Sequence, residues 1–402
     1  MSVIRLPANG AWATTVLSGL LLCLPFVAHY AAKGTITLLL ISAALVLLDR
    51  QARVRARSIS WRWLALVAAP LLTWGLVTSP WAIEPAHSAL LVPRLAVLFA
   101  AGYLLSESVA FFPPEKTRRL AWFAVGGGIL LLMAVATDVL TDLAVMAWLK
   151  DLKRGPGSND YITYINNGIA LLALFSWPIA FCLVKTAGRM AAAVFMCLAV
   201  LAVWGGNAWT PLIALLLSAG GFVAALLAGK WALRLVLGFL AAYFIAAPAI
   251  IHFLIAPNML VLRHEIKSWS LGHRFEIWRF GVARFLEKPL FGWGLDASRE
   301  LPGGHENIPD TIAEYMPLHP HNSALQIWLE LGGVGACLYL VALFLVGRRI
   351  EKAMDDRLTG AFAVATFASF AVQAQLSFGT WQNWWLASAM FVVLLFKIAL
   401  KA

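Results

Sequence analysis

The chain has 402 residues, 61% of them hydrophobic and 13% charged, with a net charge of +11. A soluble domain carries about twice that charged fraction, which excludes an ordinary water-soluble fold. Most of the positive charge sits in short loops between apolar runs, where it orients a membrane chain and does not indicate nucleic-acid binding.

The first apolar run, Trp12 to Tyr30, is followed by no clear small-residue cleavage site and reads as a first span, not a signal peptide. Runs suited to a bilayer about 30 Å thick then recur along the chain. They predict an all-α integral membrane protein with about twelve transmembrane helices. The spans lie near 12–30, 35–49, 61–79, 88–107, 118–140, 161–184, 188–206, 208–228, 231–256, 322–347, 358–378 and 381–400. Residues 1–402 form one polytopic domain with no internal repeat, no low-complexity segment and no appended soluble domain. Cys23, Cys182, Cys197 and Cys337 all fall in apolar segments and read as small core residues, not as a disulfide or metal set.

Loop charge sets the orientation. With the N-terminus in the cytoplasm, that side carries Arg5, Arg50, Arg53, Arg55, Arg57, Arg62, Lys116, Arg118, Arg119, Lys185, Arg189, Lys230, Arg234, Arg348, Arg349, Lys352, Arg357, Lys397 and Lys401, 19 basic residues. The short loops opposite carry four: Lys33, Lys150, Lys153 and Arg154. Both termini are therefore expected in the cytoplasm, and the long polar insert at 257–322, between spans nine and ten, outside it. A reaction there has no ATP or nucleotide-sugar pool to draw on. It needs a substrate that arrives activated, most plausibly on a lipid.

The insert holds the residues suited to chemistry. His273 to Glu287 reads as a helix with Arg274, Trp278 and Phe285 within about 40° of one another on one face. Arg279 and Arg284 flank that face, Pro289 ends the helix, and Gly292-Trp293-Gly294 makes a tight turn. Arg263, Lys267 and Lys288 add charge nearby. Such a cluster suits a pyrophosphate, whose oxygens the guanidinium fork binds in pairs. It equally suits an amphipathic interfacial helix touching membrane lipid headgroups, with Glu265, Glu276 and Glu287 neutralising part of the charge. His321, where the chain re-enters the membrane, is placed to act as a general base or to cap the next helix. Pro320 fixes its separation from His319 without deciding which of the two acts. His319-x-His321, with His305 and His273, would need a carboxylate or cysteine pattern to complete a metal set, and none accompanies it. The stretch between, His305 to Pro317, reads as a cover over the site. Arg94 lies inside the fourth apolar run, as a second phosphate contact, a structural contact, or a side chain that snorkels to the surface. Lys150, Lys153 and Arg154 form either a further phosphate contact or a solvated loop.

These residues carry a family resemblance. His321-Asn322, nine residues, Gly332, two residues, Gly335 resembles the outward-facing histidine motif of the bacterial O-antigen ligase family. Upstream, His273-Arg274-Phe275-Glu276-Ile277-Trp278 followed by Pro289-Leu290-Phe291-Gly292-Trp293-Gly294 resembles the Arg…Trp…Pro-Leu-Phe-Gly-x-Gly pattern of the same family. The resemblance implies a GT-C-type, inverting, metal-independent glycosyltransferase without a cofactor. It would move a polysaccharide from undecaprenyl pyrophosphate to a sugar hydroxyl of lipid A–core, on the periplasmic face of the inner membrane. It implies His321 as base and Arg274 as pyrophosphate ligand. Arg263, Arg279, Arg284, Arg94, Arg154, His319 and Trp278 are the residues expected to assist binding. The chain departs from the family at Gly206-Asn207-Ala208-Trp209-Thr210-Pro211, where many relatives carry an Arg. A missing phosphate ligand is then expected from Arg94, Lys153 or Arg154.

Three rivals stand beside the ligase. O-antigen polymerases are associated with paired outward Arg-x10-Gly motifs; only Arg349 to Gly360 fits that spacing here, on the expected cytoplasmic side. Protein O-oligosaccharyltransferases resemble this family but are usually longer. A lipid-linked glycan transporter needs polar groups near the bilayer midplane; deep charges here reduce to Arg94 and Asp138, while polar groups gather in one loop.

Overall fold

In a bilayer core every backbone N–H and C=O needs an internal partner, so apolar stretches of this length fold as helices. A computed structural model gives that result for the described residues, 11–150, 159–258, 269–309 and 311–402. The helices are α1 (Ala11–Tyr30), α2 (Gly34–Val46), α3 (Arg50–Ala56), α4 (Arg62–Val77), α5 (Pro85–Ser108), α6 (Pro114–Leu140), α7 (Ala144–Lys150), α8 (Asn159–Thr186), α9 (Arg189–Gly205), α10 (Trp209–Ala228), α11 (Lys230–Ile250), α12 (Trp269–Glu287), α13 (Ser323–Lys352), α14 (Arg357–Leu376) and α15 (Asn383–Lys401). Among the described residues the extended structure is a single bridge, Asn307 to Glu314.

All twelve expected spans are helical, and among the described residues ten helices are long and apolar enough to cross a membrane, eleven if the bent pair α2 and α3 is one span. The two short ones are α2, with 13 residues, and α9, with 17. At 1.5 Å per residue they reach about 20 and 26 Å, less than a hydrocarbon core of about 30 Å. Helix α2 stops because Asp49 caps a new helix, accepting from the Gln51 amide, and α3 leaves at 101°.

Helix α8 is the central post: 89% of its apolar window is buried, and Phe175 and Phe181 pack there against Phe391 and Phe396 of α15. Helices α4, α10 and α11 lie at the periphery and expose Leu66, Leu227 and Phe239, apolar side chains that suit hydrocarbon, not water. The two ends of the bundle differ. One carries the ion pairs Arg234–Glu351, Lys230–Asp355 and Lys397–Glu107. Helices α5, α10, α13 and α15 begin at the other end, and there α12 and the loops after it are packed.

A break in α13 positions everything at that end. Gly332 has φ 64° and ψ −166° inside the helix. A helix interrupted there leaves carbonyls and amides without partners. The turn Pro289–Gly294 supplies them. The Trp293 and Gly294 amides donate to the Leu329 and Glu330 carbonyls at 3.0 and 2.8 Å, and the Gly333 amide donates to the Pro289 carbonyl at 2.9 Å. The Trp74 indole closes the Leu331 carbonyl at 2.9 Å. The two sequence motifs are thus one structural unit.

Candidate active site

Helix α12 lies on α13 through Ile277, Trp278, Val282 and Phe285, which bury against Met316, Leu325 and Leu329. The face predicted from periodicity is the buried one, and it carries Arg274 to the same place. The Trp278 indole N–H donates to the Pro320 carbonyl at 2.7 Å, tying α12 to the residue before His321. Trp278→Phe is therefore expected to lower turnover several-fold, and by more than its stability cost of about 1 kcal/mol would explain. Turnover at saturating substrate, measured beside a melting curve of the same preparation, tests this.

Residues 303–309 and 311–316 meet through the Asn307–Glu314 bridge. Phe280 stacks on Tyr315 with ring centroids 5.6 Å apart, and Met316 is buried. The described part of His305 to Pro317 is thus packed against α12. His273 Nε2 lies 2.8 Å from the Glu314 carbonyl, and His305 bridges Glu314 and Glu300 at 2.9 and 3.5 Å. The hydrogen bond to Glu314 holds the His305 imidazole above its usual pKa.

The chain enters α13 through His321 in the left-handed conformation, φ 53°. A non-glycine residue rarely sits there, and such strain gathers at functional sites. Capping falls to Asn322, whose Oδ1 accepts from the Leu325 amide at 3.0 Å while its Nδ2 donates to the Tyr243 hydroxyl. His321 is released from that duty. Its Nδ1 lies 2.5 Å from the Ser377 carbonyl, which can only accept, so Nδ1 bears the proton and Nε2 the lone pair. Nε2 meets no hydrogen-bond partner among the described residues. Burial pushes the His321 pKa down to about 4; the Ser377 carbonyl opposes the shift, while Arg274 and His273 reinforce it.

His319 is buried with its ring centroid 4.3 Å from that of His321. Its Nδ1 accepts from the His321 amide at 3.2 Å. The Gln382 amide nitrogen stands 3.1 Å from Nε2; a neutral ring that accepts at Nδ1 donates at Nε2, so we assign the Gln382 amide the flipped orientation, in which its oxygen, otherwise without a partner, accepts from Nε2. Burial first, then His321, Arg299 and Arg274, hold His319 well below its usual pKa. It is a neutral strut beside His321, locked at both nitrogens.

Arg274 is the charged partner of this pair. It is partly buried, which lowers its pKa, yet a guanidinium remains charged there. Its Nη1 lies 3.5 Å from Thr210 Oγ1 at the start of α10, so the segment lacking the family's Arg still faces the site. Arg279 and Arg284 are committed on α12 itself, to Glu276 at 3.0 Å and Glu287 at 2.8 Å. Arg94 is exposed on α5 and makes no hydrogen bond or ion pair with the described residues. Arg154 and Arg263 lie outside the described residues, as does Lys153. Among the described residues no three His, Cys, Asp or Glu side chains stand together as a metal site.

Sequence reasoning did not single out Ser377, Gln382, Arg299 or Glu330. Ser377 acts through its carbonyl, which leaves no mark in a sequence. Glu330 had a signal: a carboxylate eight residues into an apolar span is expensive and marks function by default.

Residues 168–340 match the model of the O-antigen ligase family. That interval contains Thr210, Arg274, the Pro289–Gly294 turn, Arg299, both histidines and Glu330; Ser377 and Gln382 lie beyond it. The chain is similar to a Rickettsia conorii protein named a polysaccharide ligase, 33% identical over 150 residues, which are 37% of this chain and 36% of that protein. It is also similar to a Rickettsia bellii protein of that name, 25% identical over 331 residues, covering 82% of this chain and 78% of the relative. A Rickettsia felis protein with the same name is 23% identical over the same length.

Proposed function

We propose, from the match of residues 168–340 to the O-antigen ligase family, the likeness to proteins named polysaccharide ligases and the site geometry, that the chain is a member of this family and transfers a polysaccharide from undecaprenyl pyrophosphate to a sugar hydroxyl of lipid A–core. One observation carries the reading: a neutral histidine with its Nδ1 proton fixed on a carbonyl and its Nε2 open stands within the field of a half-buried arginine.

The acceptor hydroxyl attacks C1 of the donor sugar and gives its proton to His321 Nε2. The bond between C1 and the pyrophosphate oxygen breaks, and its electron pair leaves with the pyrophosphate. Attack from the face opposite the leaving group inverts the configuration. Arg274 receives the negative charge that grows on the departing oxygen, and a cation fixed in advance stabilises that charge without reorganising. The same binding prepares the base. Arg274 adds to the depression that burial imposes on His321, and a pyrophosphate seated on the guanidinium cancels the arginine's share. The histidine therefore becomes a better proton acceptor when its substrate is present.

The charge asymmetry of the loops supports a site facing the periplasm from the inner membrane. The cations paired at Arg234, Lys230 and Lys397 occupy the opposite end of the bundle from the histidines. Purified protein, a lipid-pyrophosphate glycan and a lipid A–core acceptor make the test. Transfer should proceed in the presence of a chelator, fall by about a hundredfold or more in Arg274→Ala, and recover only partly in Arg274→Lys, which keeps the charge but loses the fork. Growth of the glycan on its donor lipid, with nothing reaching the acceptor, would replace this reading with a polymerase.

A further inference from the structure

Glu330 is a carboxylate with no exposed surface, two residues before the break in α13. A buried charge persists only when its lone pairs are met. Oε1 accepts from the Ser298 hydroxyl at 2.5 Å, the Gln326 amide at 2.9 Å and the Ser298 backbone N–H at 3.4 Å. Oε2 accepts from the Asp296 N–H at 2.8 Å and the Trp381 indole at 2.6 Å. None of the main donors can be reversed. The Gln326 oxygen is committed to the Thr380 amide at 2.8 Å, so its nitrogen must face Oε1. A backbone N–H and an indole can only donate to Oε2. Each oxygen thus faces an obligatory donor. A glutamine here sets its own NH2 against one of them whichever way it turns.

Two arms leave this carboxylate for the site. One runs through Trp381 to Gln382, which meets His319. The other runs through Ser298 to Arg299. Asp296, held at φ 59° with its amide on Glu330, accepts from Arg299 Nε at 2.8 Å and lies 2.9 Å from His87 Nε2. With Nε tied down, the two η nitrogens of Arg299 make no hydrogen bond with the described residues, and the side chain stays 34% exposed. Arg299 joins Arg274 in pressing its charge on His319. A pyrophosphate carries more negative charge than one guanidinium neutralises, and the segment at Thr210 brings no cation.

We propose that Arg299 is the second guanidinium of the anion site, binding the leaving pyrophosphate together with Arg274, and that Glu330 is the residue that positions it. This rests on the transfer reading above. The experiment measures binding of glycan-free undecaprenyl pyrophosphate to the full-length protein in nanodiscs, and donor and acceptor KM separately. Arg299→Ala should weaken lipid-pyrophosphate binding about tenfold or more, the loss of a charge-assisted contact, and raise donor KM with acceptor KM unchanged. Glu330→Gln should reproduce that pattern. Glu330→Asp, shorter but with both acceptors intact, should be milder, the reverse of what side-chain volume alone predicts. The double variant Glu330→Gln with Arg299→Ala should be no worse than the more severe single one. Wild-type lipid-pyrophosphate binding by Arg299→Ala, in a protein that transfers glycan, overturns this inference alone. Multiplying effects in the double variant remove Glu330's part in it. A wild-type protein that binds the lipid pyrophosphate and transfers nothing overturns the transfer reading, and this inference with it. Arg299 is 34% exposed, and His87 still faces Asp296 once Arg299 is gone, so Arg299→Ala is expected to fold and the test stands even where Glu330→Gln fails to accumulate.

Discussion

On the proposed mechanism, His321→Ala should lower glycan transfer by about 10²- to 10⁴-fold while the protein still folds. The fold survives because His321 contributes little to it: one hydrogen bond to the Ser377 carbonyl, in a backbone conformation that strains any side chain. Capping of α13 remains with Asn322. The chemistry should not survive because His319, the imidazole beside it, has both of its own nitrogens engaged. The pH dependence carries the same signature. A histidine pushed down to about 4 stays neutral, and competent as a base, at any pH above that value. The acid limb of kcat/KM, which reports the free enzyme, should therefore fall near 4, below the 6.5 or so of an unperturbed histidine. The acid limb of kcat should lie higher, because bound pyrophosphate offsets Arg274. Transfer rates across pH, with melting curves for both proteins, decide it. More than a tenth of wild-type activity in a folded His321→Ala variant would remove this residue as the base.

Gly332→Ala should prevent accumulation of folded protein, or lower its melting temperature far more than a methyl group added at the neighbouring Gly333. Its φ and ψ, 64° and −166°, belong to a region that only glycine occupies comfortably, at a cost of about 1–3 kcal/mol for other residues. A Cβ there runs into the Leu290 carbonyl and the Phe291 amide, and one on Gly292 runs into the Glu330 carbonyl. Backbone has no rotamer with which to yield, so the turn must lift from the break. That sacrifices the Trp293, Gly294 and Gly333 hydrogen bonds, each about 1 kcal/mol and more when a buried group is left unpaired. The sum is several kcal/mol against a typical stability of about 5–15. Gly333→Ala is the control: a Cβ on the next glycine meets its nearest atoms at 3.7 Å, ordinary contact. Thermal unfolding of the three proteins in detergent tests the account, and equal melting of Gly332→Ala and Gly333→Ala would sink it.

The spans were legible because hydrocarbon enforces a length and a composition, and both are local. Helix α12 was legible for the same reason: its apolar spacing decided which face is buried and carried Arg274 inward with it. The two glycine motifs were visible as separate patterns, yet nothing in their spacing says that one turn fills the break in the other. Arg279 and Arg284 read as candidates equal to Arg274. Their i,i+3 glutamates, present in the sequence, are what distinguish them once the helix is formed.

By itself, the sequence determined the membrane class, the charge bias that orients the chain, the long insert, and the residue types suited to a pyrophosphate and a proton. Each follows from local composition or periodicity. Only the tertiary structure decided which nitrogen of His321 is open, that both nitrogens of His319 are engaged, and that Glu330 joins Arg299 to the histidines. Those outcomes depend on Ser377, Gln382 and Trp381, which come from other helix ends. Hydrogen-bond direction and burial are properties of what packs around a group, and they exist only once distant segments meet.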